Sequence, residues 1–224
     1  LYVFWTYGQG LPDYKQLADY EPPTVTRVYA SDGRLMAEYA KEKRVFVPIE
    51  SIPRRVIHAF LSAEDKNFYS HPGVDLPSII AAAYANLQRL GTNQRPVGAS
   101  TITQQVAKNF LLTNEVSIDR KIREAILAFR MEETFEKDRI LELYLNEIYL
   151  GNRSYGVAAA ALNYFNKSLD ELTIAEAAFL AGLPKAPNNY QPDKQPEEAR
   201  ARRNWVIGQM RANGYITRTE ARRA

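Results

Sequence analysis

Two segments of this chain carry the residue types best suited to catalysis. The first ends an apolar helical pattern at Glu64, a carboxylate that directly precedes Asp65. The second, residues 98–109, is rich in hydroxyl and amide side chains and carries a single lysine, Lys108. A carboxylate base, neutral hydrogen-bonding groups and a cation are the groups needed to transfer a sugar away from a phosphate. We therefore expect the two segments to contribute to one site.

The second segment predicts a helix over residues 99–110 with two distinct sides. Ile102, Val106 and Phe110 lie four residues apart and form the predicted buried side. The other side carries hydroxyl, amide and ammonium groups: Thr101, Gln104, Gln105 and Lys108. Uncharged polar groups of this kind suit a sugar or phosphate in a partly dry cleft, because they are not strongly hydrated. A polar face exposed to solvent is the alternative that this stripe leaves open.

A third polar group lies on a predicted helix over residues 117–135. Arg120 and Lys121 lie four and three residues before Glu124, so the three side chains project from neighbouring turns. One interpretation is a surface ion pair, which contributes only about 0.3 kcal/mol. The other is a cationic clamp for an anionic leaving group, with Glu124 orienting the clamp or holding a divalent ion. The spacing alone does not distinguish the two.

The two histidines are not predicted to act in catalysis. His71 precedes Pro72 and Gly73, and we interpret it as a hydrogen-bonding residue that holds this turn. His58 lies within the preceding helical pattern and is given no role. The chain has no cysteine, which excludes thiolate nucleophiles, disulfides and zinc–thiolate sites. It also lacks the Ser-x-x-Lys, phosphate-loop and His-Glu-x-x-His patterns of other enzyme classes.

The composition is that of a globular protein with a mild positive charge. Hydrophobic residues make up 46% and charged residues 25% of the 224 positions, and the formal net charge is +3. This charge is too small to indicate nucleic-acid binding, whereas anionic small ligands and lipid headgroups stay candidates. Aromatic residues crowd positions 1–8, which favours a segment leaving a membrane over an ordinary apolar strand or helix end. No internal stretch reaches the roughly 20 apolar residues of a spanning helix, so we expect any span upstream of residue 1.

A short β element is predicted before the helical part of the chain. Proline and glycine residues indicate a linker over residues 9–23. Residues 24–49 alternate in polarity and predict a hairpin, with Asp-Gly in its turn at residues 31–34. A third short strand is predicted over residues 44–47, where a proline follows it.

Helical periods dominate from Pro53 onward. A proline suits the first position of a helix, so we expect a helix to begin there. A helix is predicted over residues 76–90, and its apolar residues lie on one side: Ile79, Ile80, Ala83 and Leu87. A polar break, predicted to be mobile, follows over residues 91–98. Further helices are predicted over residues 99–110, 117–135, 137–149 and 196–213. Capping-box spacings predict later helix starts at Ser168 or Thr173, and at Thr217. The fold class is therefore mainly α with one N-terminal β appendage.

The stretch from Glu64 to Gly156 also resembles a known family, the family 51 glycosyltransferases. These are the peptidoglycan polymerase domains of class A penicillin-binding proteins and of their monofunctional relatives. Four motifs occur in the family's order: Glu64-Asp65-x-x-Phe68-x-x-His71-x-Gly73, Gly98-x-Ser100-Thr101-Ile102-x-Gln104-Gln105-x-x-Lys108-Asn109, Arg120-Lys121-x-x-Glu124-Ala125 and Ile140-Leu141-Glu142-x-Tyr144-Leu145-Asn146. Four motifs in one order are specific to this family. A looser similarity extends through Arg203.

The resemblance implies a mostly helical fold with a lysozyme-like large lobe and a smaller membrane-proximal jaw lobe. It divides the chain into a membrane-exit segment and linker (1–23), a short β element (24–50) and a peptidoglycan glycosyltransferase domain (51–224). The implied location is the bacterial inner (cytoplasmic) membrane, with the catalytic domain on its periplasmic or extracellular side. The linker and hairpin favour a parent protein that carries a transpeptidase domain after residue 224.

The implied reaction polymerises lipid II into β-1,4 glycan strands. The 4-hydroxyl of an acceptor lipid II attacks the anomeric carbon of a growing chain on undecaprenyl pyrophosphate, with inversion. By matching position, Glu64 is the general base and Glu124 lies near the donor pyrophosphate. The other matched residues are implied to bind substrate or to hold the motifs in shape: Asp65, Phe68, His71, Ser100, Thr101, Gln104, Gln105, Lys108, Asn109, Arg120 and Lys121. Mg²⁺ or Mn²⁺ is implied to bind through the pyrophosphate, with protein ligands unknown and no organic cofactor.

Two other functions stay open on the sequence alone. A lytic transglycosylase or lysozyme-type hydrolase also uses a glutamate in a lysozyme-like lobe. The cations Arg120, Lys121 and Lys108 argue against it, because a glycan-cleaving cleft binds no pyrophosphate. A non-catalytic module that binds lipid-linked glycan at the membrane surface is the second alternative.

This chain departs from the family in the segment over residues 87–97. The segment makes the spacing between the first and second motifs a few residues longer than is usual in the family. It lies in a region expected to be near the acceptor site.

Overall fold

The fold is mainly helical, as the sequence predicts. The computed structural model describes residues 2–18, 20, 26–29, 35–39, 43–91, 97–112 and 117–224. The described part contains ten α-helices: α1 (Tyr2–Tyr7), α2 (Arg54–Glu64), α3 (Leu76–Gln88), α4 (Ile102–Leu111), α5 (Ile118–Glu132), α6 (Lys137–Glu147), α7 (Val157–Phe165), α8 (Ile174–Gly182), α9 (Pro196–Ala212) and α10 (Arg218–Arg223). Short 3-10 helices lie at Tyr14–Leu17, Ile49–Ser51, Leu169–Glu171 and Leu183–Lys185.

Polar side chains set the starts of several helices. Asp75 accepts a hydrogen bond from the Ser78 N–H at 3.0 Å and caps α3, and Ser117 caps α5 in the same way. Thr101 has an extended backbone and caps α4, which therefore begins at Ile102, three residues later than predicted. The capping boxes predicted to start at Ser168, Thr173 and Thr217 are all present.

The strands are few and short. β1 (Thr26–Tyr29) pairs antiparallel with β2 (Leu35–Tyr39), so the predicted hairpin is confirmed, while its turn at residues 31–34 lies outside the described residues. The third predicted strand, residues 44–47, is wrong in extent: β3 covers Lys43–Arg44 and pairs in parallel with β4 (Ser154–Tyr155). The β-branched residues that predicted a longer strand lie in irregular backbone before the proline.

One compact unit of the chain comprises Leu1–Ala18 and Glu64–Leu141. Its core lies between α4 and α5, where both helices bury apolar side chains: Ile102, Val106, Ile126, Leu127 and Met131. The predicted buried side of α4 is thus confirmed for Ile102 and Val106, and Phe110 is half-buried. Burial of these side chains, worth about 1.5–3 kcal/mol each, fixes the helix that carries the second motif.

The region before the β element packs on this unit. Leu17 of the 3-10 helix is buried, and Arg139 donates to the carbonyls of Leu17 and Ala18 at 3.0 and 3.1 Å. The sequence predicts a linker over residues 9–23, and these contacts fix part of that stretch. Among the described residues, no helix has the length and hydrophobicity needed to cross a membrane.

The second compact unit comprises Asp19–Ala63 and Glu142–Ala224. α8 packs on α9, and the close approach requires Gly182, where an added Cβ would lie 2.9 Å from Cγ of Arg202. The fourth motif has a structural role here. Glu142 accepts from the Ile49 N–H at 2.8 Å, and the Asn146 amide pairs with both the N–H and the carbonyl of Val47 at 2.8 and 2.9 Å.

α3 presents an apolar face that the described residues do not cover. The predicted helix over residues 76–90 is confirmed, but Ile80, Tyr84 and Leu87 are 64–70% exposed. Ala82 is the buried apolar residue of this helix. An apolar helix face left in contact with solvent is typical of a surface that binds a partner or a membrane.

Candidate active site

The candidate base and the polar helix meet in the first unit. Glu64 is the last residue of α2 and is half-buried. Its Oε2 accepts a hydrogen bond from Nε2 of Gln105, on α4, at 3.0 Å. The first and second motifs are therefore in direct contact through these two side chains. The amide of Gln105 thus orients the carboxylate.

Asp65 turns away from Glu64 into the interior. Both of its carboxylate oxygens lie 3.0 Å from Nε2 of His71, and Oδ2 also accepts from the Ile102 N–H at 2.9 Å. Nδ1 of His71 accepts from the Gly73 N–H at 3.1 Å, so the proton of the neutral ring lies on Nε2. His71 therefore holds the turn, as predicted. α2 ends at Glu64, so Phe68 and His71 lie in the turns that follow the helix.

Thr101 and Gln104 are buried and form a capping box at the start of α4. The Thr101 hydroxyl accepts from the Gln104 N–H, and the Gln104 side chain accepts from the Thr101 N–H at 3.0 Å. The Thr101 hydroxyl also donates to the Gly73 carbonyl at 2.6 Å. These bonds engage the side chains in backbone contacts. Of the predicted polar stripe, Gln105 is the member whose side chain faces the candidate base.

The third motif forms an ion cluster around a buried carboxylate. Glu124 is 2% exposed, and its Oε2 lies 2.7 Å from Nζ of Lys121, whose side chain is half-exposed. Nε of Arg120 lies 3.1 Å from Oε1, but this N–H is not aligned for a hydrogen bond, so a buried acceptor is left with unused capacity. Lys121 also donates to the Ser100 hydroxyl at 2.7 Å. The surface ion pair considered from the sequence is therefore wrong, because the shared carboxylate is buried.

Two residues of the second motif are exposed to solvent. Lys108 and Asn109 are exposed on α4, and neither side chain makes a hydrogen bond or ion pair with another described residue.

Phe68 of the first motif is fully buried and packs edge-on against His71, with ring centroids 6.2 Å apart. Phe68 thus supports the first motif from the interior.

Three polar residues that the sequence did not single out support the site. The Thr103 hydroxyl donates to Oε1 of Glu132 at 2.5 Å, and Nζ of Lys137 donates to the same oxygen at 2.8 Å. Lys137 also donates to the His71 carbonyl at 2.7 Å. Glu132 ends α5 and Lys137 begins α6. The five-residue spacing between Glu132 and Lys137 matches no helical repeat, so no sequence pattern indicates that they pair.

An apolar groove lies beside the ion cluster. It encloses about 540 Å³ between α3, α4 and α5, and its walls include Ile79, Ala83, Val97, Ile122, Ala125 and Phe129. Polar groups line it sparsely, and among them are the side chains of Ser100 and Lys121. A groove of this kind accepts a hydrocarbon chain while a cation at its wall attracts an anionic group.

The described residues do not form a metal site by themselves. No group of three or more histidine, aspartate or glutamate side chains is placed to hold an ion in the described part of the chain. Both oxygens of Glu124 already lie beside cations. These residues therefore do not fit a resident metal ion.

Comparison with known proteins places these observations in a family. The sequence profile described as "Transglycosylase" matches residues 32–211, which include all four motifs. The chain belongs to the transglycosylase family. The predicted resemblance is thus confirmed, and with it the penicillin-binding protein relationship.

The relatives of this transglycosylase chain are longer proteins. Penicillin-binding protein 1A of Rickettsia felis is 58% identical over 223 residues, which cover 100% of this chain and 28% of that protein. Penicillin-binding protein 1A of Aquifex aeolicus is 49% identical over 209 residues, covering 93% of this chain and 28% of that protein. The chain therefore spans 28% of the length of these relatives.

A solved structure supports the same fold for this transglycosylase chain. The crystal structure of penicillin-binding protein 1A from Haemophilus influenzae aligns with a TM-score of 0.51 at 30% sequence identity. The alignment covers 92% of this chain and 20% of that one. The mainly α fold class is therefore confirmed. The roles predicted for the individual site residues, the division into a β element and a catalytic domain, and the two-lobe description stay predictions.

Proposed function

We propose that this chain is a peptidoglycan glycosyltransferase that polymerises lipid II, with Glu64 as its general base. The observation that carries the proposal is the apolar groove whose wall includes Lys121, beside the buried carboxylate of Glu124. A substrate that is both lipid and phosphate satisfies this combination. A soluble sugar phosphate has no apolar chain to occupy the groove, and a neutral glycan has no negative charge to pair with the cation.

The proposed reaction is a single displacement. Glu64 takes the proton of the acceptor 4-hydroxyl, and the freed oxygen forms a bond to the anomeric carbon of the donor. The bond from that carbon to the pyrophosphate breaks, and the α-linked donor gives a β-1,4 product. A positioned carboxylate contributes about 10²–10⁴ in rate to such a step. Gln105 orients the carboxylate through its 3.0 Å hydrogen bond to Oε2.

The leaving pyrophosphate gains negative charge as the bond breaks. Lys121 and Arg120 offset this charge, and pyrophosphate leaves without protonation, so the mechanism needs no general acid. Glu124 holds both cations in place through contacts of 2.7 and 3.1 Å. In this mechanism the carboxylate orients the cations and does not itself transfer a proton.

The lipid chain and the bilayer account for the apolar surfaces. The first isoprenoid units occupy the groove, and the exposed face of α3 with Ile80, Tyr84 and Leu87 contacts the membrane. Aromatic and aliphatic residues at such a surface are suited to the interface between lipid and water. We propose the outer face of the bacterial inner membrane as the location, and a transpeptidase domain as a further part of the complete protein.

Any Mg²⁺ or Mn²⁺ is proposed to bind through the donor pyrophosphate oxygens, where it would neutralise phosphate charge. Because the described residues do not form a metal site, removal of metal should leave the fold unchanged. We expect EDTA to lower polymerisation without moving the melting temperature of the protein. A fall in the melting temperature with EDTA would contradict this account and indicate a protein-bound ion.

A glycan hydrolase and a non-catalytic binding module are the alternatives to be tested. The complete protein, its Glu64→Gln variant and a Glu133→Gln control are incubated separately with lipid II and with finished glycan strands. Glu133 is exposed and belongs to none of the four motifs, so its variant should behave like the unaltered protein.

We expect glycan polymer from lipid II, a loss of about 10²-fold or more in Glu64→Gln, and unchanged lipid II binding. Shortening of finished strands without polymer from lipid II would support the hydrolase. Binding of lipid II without any turnover in the unaltered protein would support the binding module.

A further inference from the structure

We propose that Lys137 and Glu132 are positioning residues for the catalytic carboxylate, through a closed loop of hydrogen bonds. The inference rests on the proposed function, in which Glu64 is the base. Neither residue lies next to Glu64 in the sequence, and neither is expected to touch the substrate. Their effect passes through Asp65 and α4, which hold the two partners of the Glu64–Gln105 contact.

The first half of the loop joins the first motif to the start of α4. Asp65 accepts from the Ile102 N–H at 2.9 Å, one of the backbone groups that has no partner within its helix. The same carboxylate receives Nε2 of His71 at 3.0 Å. Asp65 therefore fixes the first residue of α4 relative to the residue that follows Glu64.

The second half returns from α4 to His71 by another route. Thr103, next to Ile102, donates to Glu132 at 2.5 Å, and Lys137 links Glu132 at 2.8 Å to the His71 carbonyl at 2.7 Å. Nζ of Lys137 also lies 4.5 Å from the centre of the Phe68 ring. The loop thus runs through Asp65, Ile102, Thr103, Glu132, Lys137 and His71, and back to Asp65.

Most of the loop is buried, so its members depend on one another. Thr103 is fully buried, and the Glu132 side chain is 8% exposed. Lys137 is the cation paired with Glu132 in this interior. Without it, a buried carboxylate would have to move toward water, because an unpaired buried charge is unfavourable. That movement breaks the bond to Thr103 and frees both α4 and the His71 turn.

The consequence for Glu64 follows from its position between the two anchors. Glu64 precedes Asp65, and Gln105 lies one helical turn after Ile102, so the loop fixes both residues of their 3.0 Å hydrogen bond. A displacement of about 1 Å in a catalytic group can lower a rate by about 10²-fold. We therefore expect opening of the loop to lower turnover more than it lowers affinity.

The test uses two variants in the complete protein and a matched control for each. Lys137→Met removes the donor and the cation beside the Phe68 ring, and Lys194→Met is its exposed control. Glu132→Gln keeps an acceptor oxygen for Thr103 and removes the charge, and the neighbouring exposed Glu133→Gln is its control. Polymerisation of lipid II gives kcat and KM, and thermal unfolding reports the fold.

We expect Lys137→Met to lower kcat by about 10–100-fold with KM nearly unchanged, and Glu132→Gln to lower it by a smaller factor. Both controls should match the unaltered protein. In a Glu64→Gln background, Lys137→Met should cause no further loss, because no base is left to position. Should Lys137→Met fail to fold, Glu132→Gln, which keeps its hydrogen bond, carries the same comparison.

Two results would overturn the inference. One is an unaltered kcat in folded Lys137→Met and Glu132→Gln proteins. The other is an equal further loss from Lys137→Met in the Glu64→Gln background, which would mean that Lys137 acts independently of the base. Full activity of Glu64→Gln alone is a different result, since it refutes the proposed base and not the loop.

Discussion

Replacement of Asp65 by asparagine tests how the first motif is held together. Asp65 is buried and accepts from two donors at once, the His71 Nε2–H and the Ile102 N–H. An asparagine amide supplies one accepting oxygen and one donating nitrogen. If the oxygen faces Ile102, the amide nitrogen faces Nε2 of His71, which must then give up its proton. The proton then moves to Nδ1. In the unaltered protein Nδ1 accepts from the Gly73 N–H at 3.1 Å, so in the variant two donors face each other.

The magnitude follows from this count of donors and acceptors. In either orientation of the amide, one buried donor is left without an acceptor, which costs about 1–3 kcal/mol. The remaining bond also changes from a charge-assisted to a neutral one, which removes about 1 kcal/mol more. We therefore expect Asp65→Asn to lower the free energy of unfolding by about 2–4 kcal/mol.

Urea denaturation followed by circular dichroism measures this loss. The midpoint should fall with an unchanged slope, and the exposed control Asp193→Asn should stay within about 0.5 kcal/mol of the unaltered protein. Imidazole ¹⁵N NMR is a direct second readout, since the chain has two histidines. A proton on Nδ1 of His71 in the unaltered protein, or an Asp65→Asn variant as stable as the control, would refute the reasoning.

Two further predictions concern stability. Gly73→Ala should lower the free energy of unfolding by about 2 kcal/mol or more, because φ is +88° and the new Cβ would lie 2.7 Å from the Ala128 carbonyl oxygen; Gly208→Ala, where a Cβ meets open space in α9, should be neutral or stabilising in the same urea titration. Burial lowers the pKa of His58 below its usual 6.5, so the unfolded chain takes up this proton first and stability falls as the pH drops through about 6.5. His58→Phe, which keeps the stack on Tyr215, should reduce that loss between pH 7.5 and 5, and an unchanged pH dependence would contradict it.

The sequence predicts the helices of this fold well because their ends are coded locally. The caps at Thr173 and Thr217 and the apolar period around Ile102 and Val106 depend on neighbours within four residues. The third strand was predicted too long, since β3 pairs with β4, which lies over a hundred positions later in the chain. Strand pairing over such a separation leaves no local pattern.

The site shows the same division between local and distant information. Glu64, Glu124 and their helices follow from motif spacing, but the spacing does not tell whether a polar side chain faces a ligand or its own backbone. Thr101 and Gln104 look like binding residues in the sequence, and the structure engages them in a capping box. The contacts of Lys137 cannot be predicted from helical periodicity, because its partners come from two other segments.

The closed loop through Asp65, Thr103, Glu132, Lys137 and His71 constrains how this protein can evolve. Each member makes hydrogen bonds to other members of the loop, so a single replacement leaves a polar group without its hydrogen-bond partner. Lineages should therefore retain Thr103, Glu132 and Lys137 as a set, or exchange them together for an apolar trio. Related sequences that keep Glu132 but carry an apolar residue in place of Lys137 would contradict this expectation. They would show that the residues of the loop can be replaced one at a time.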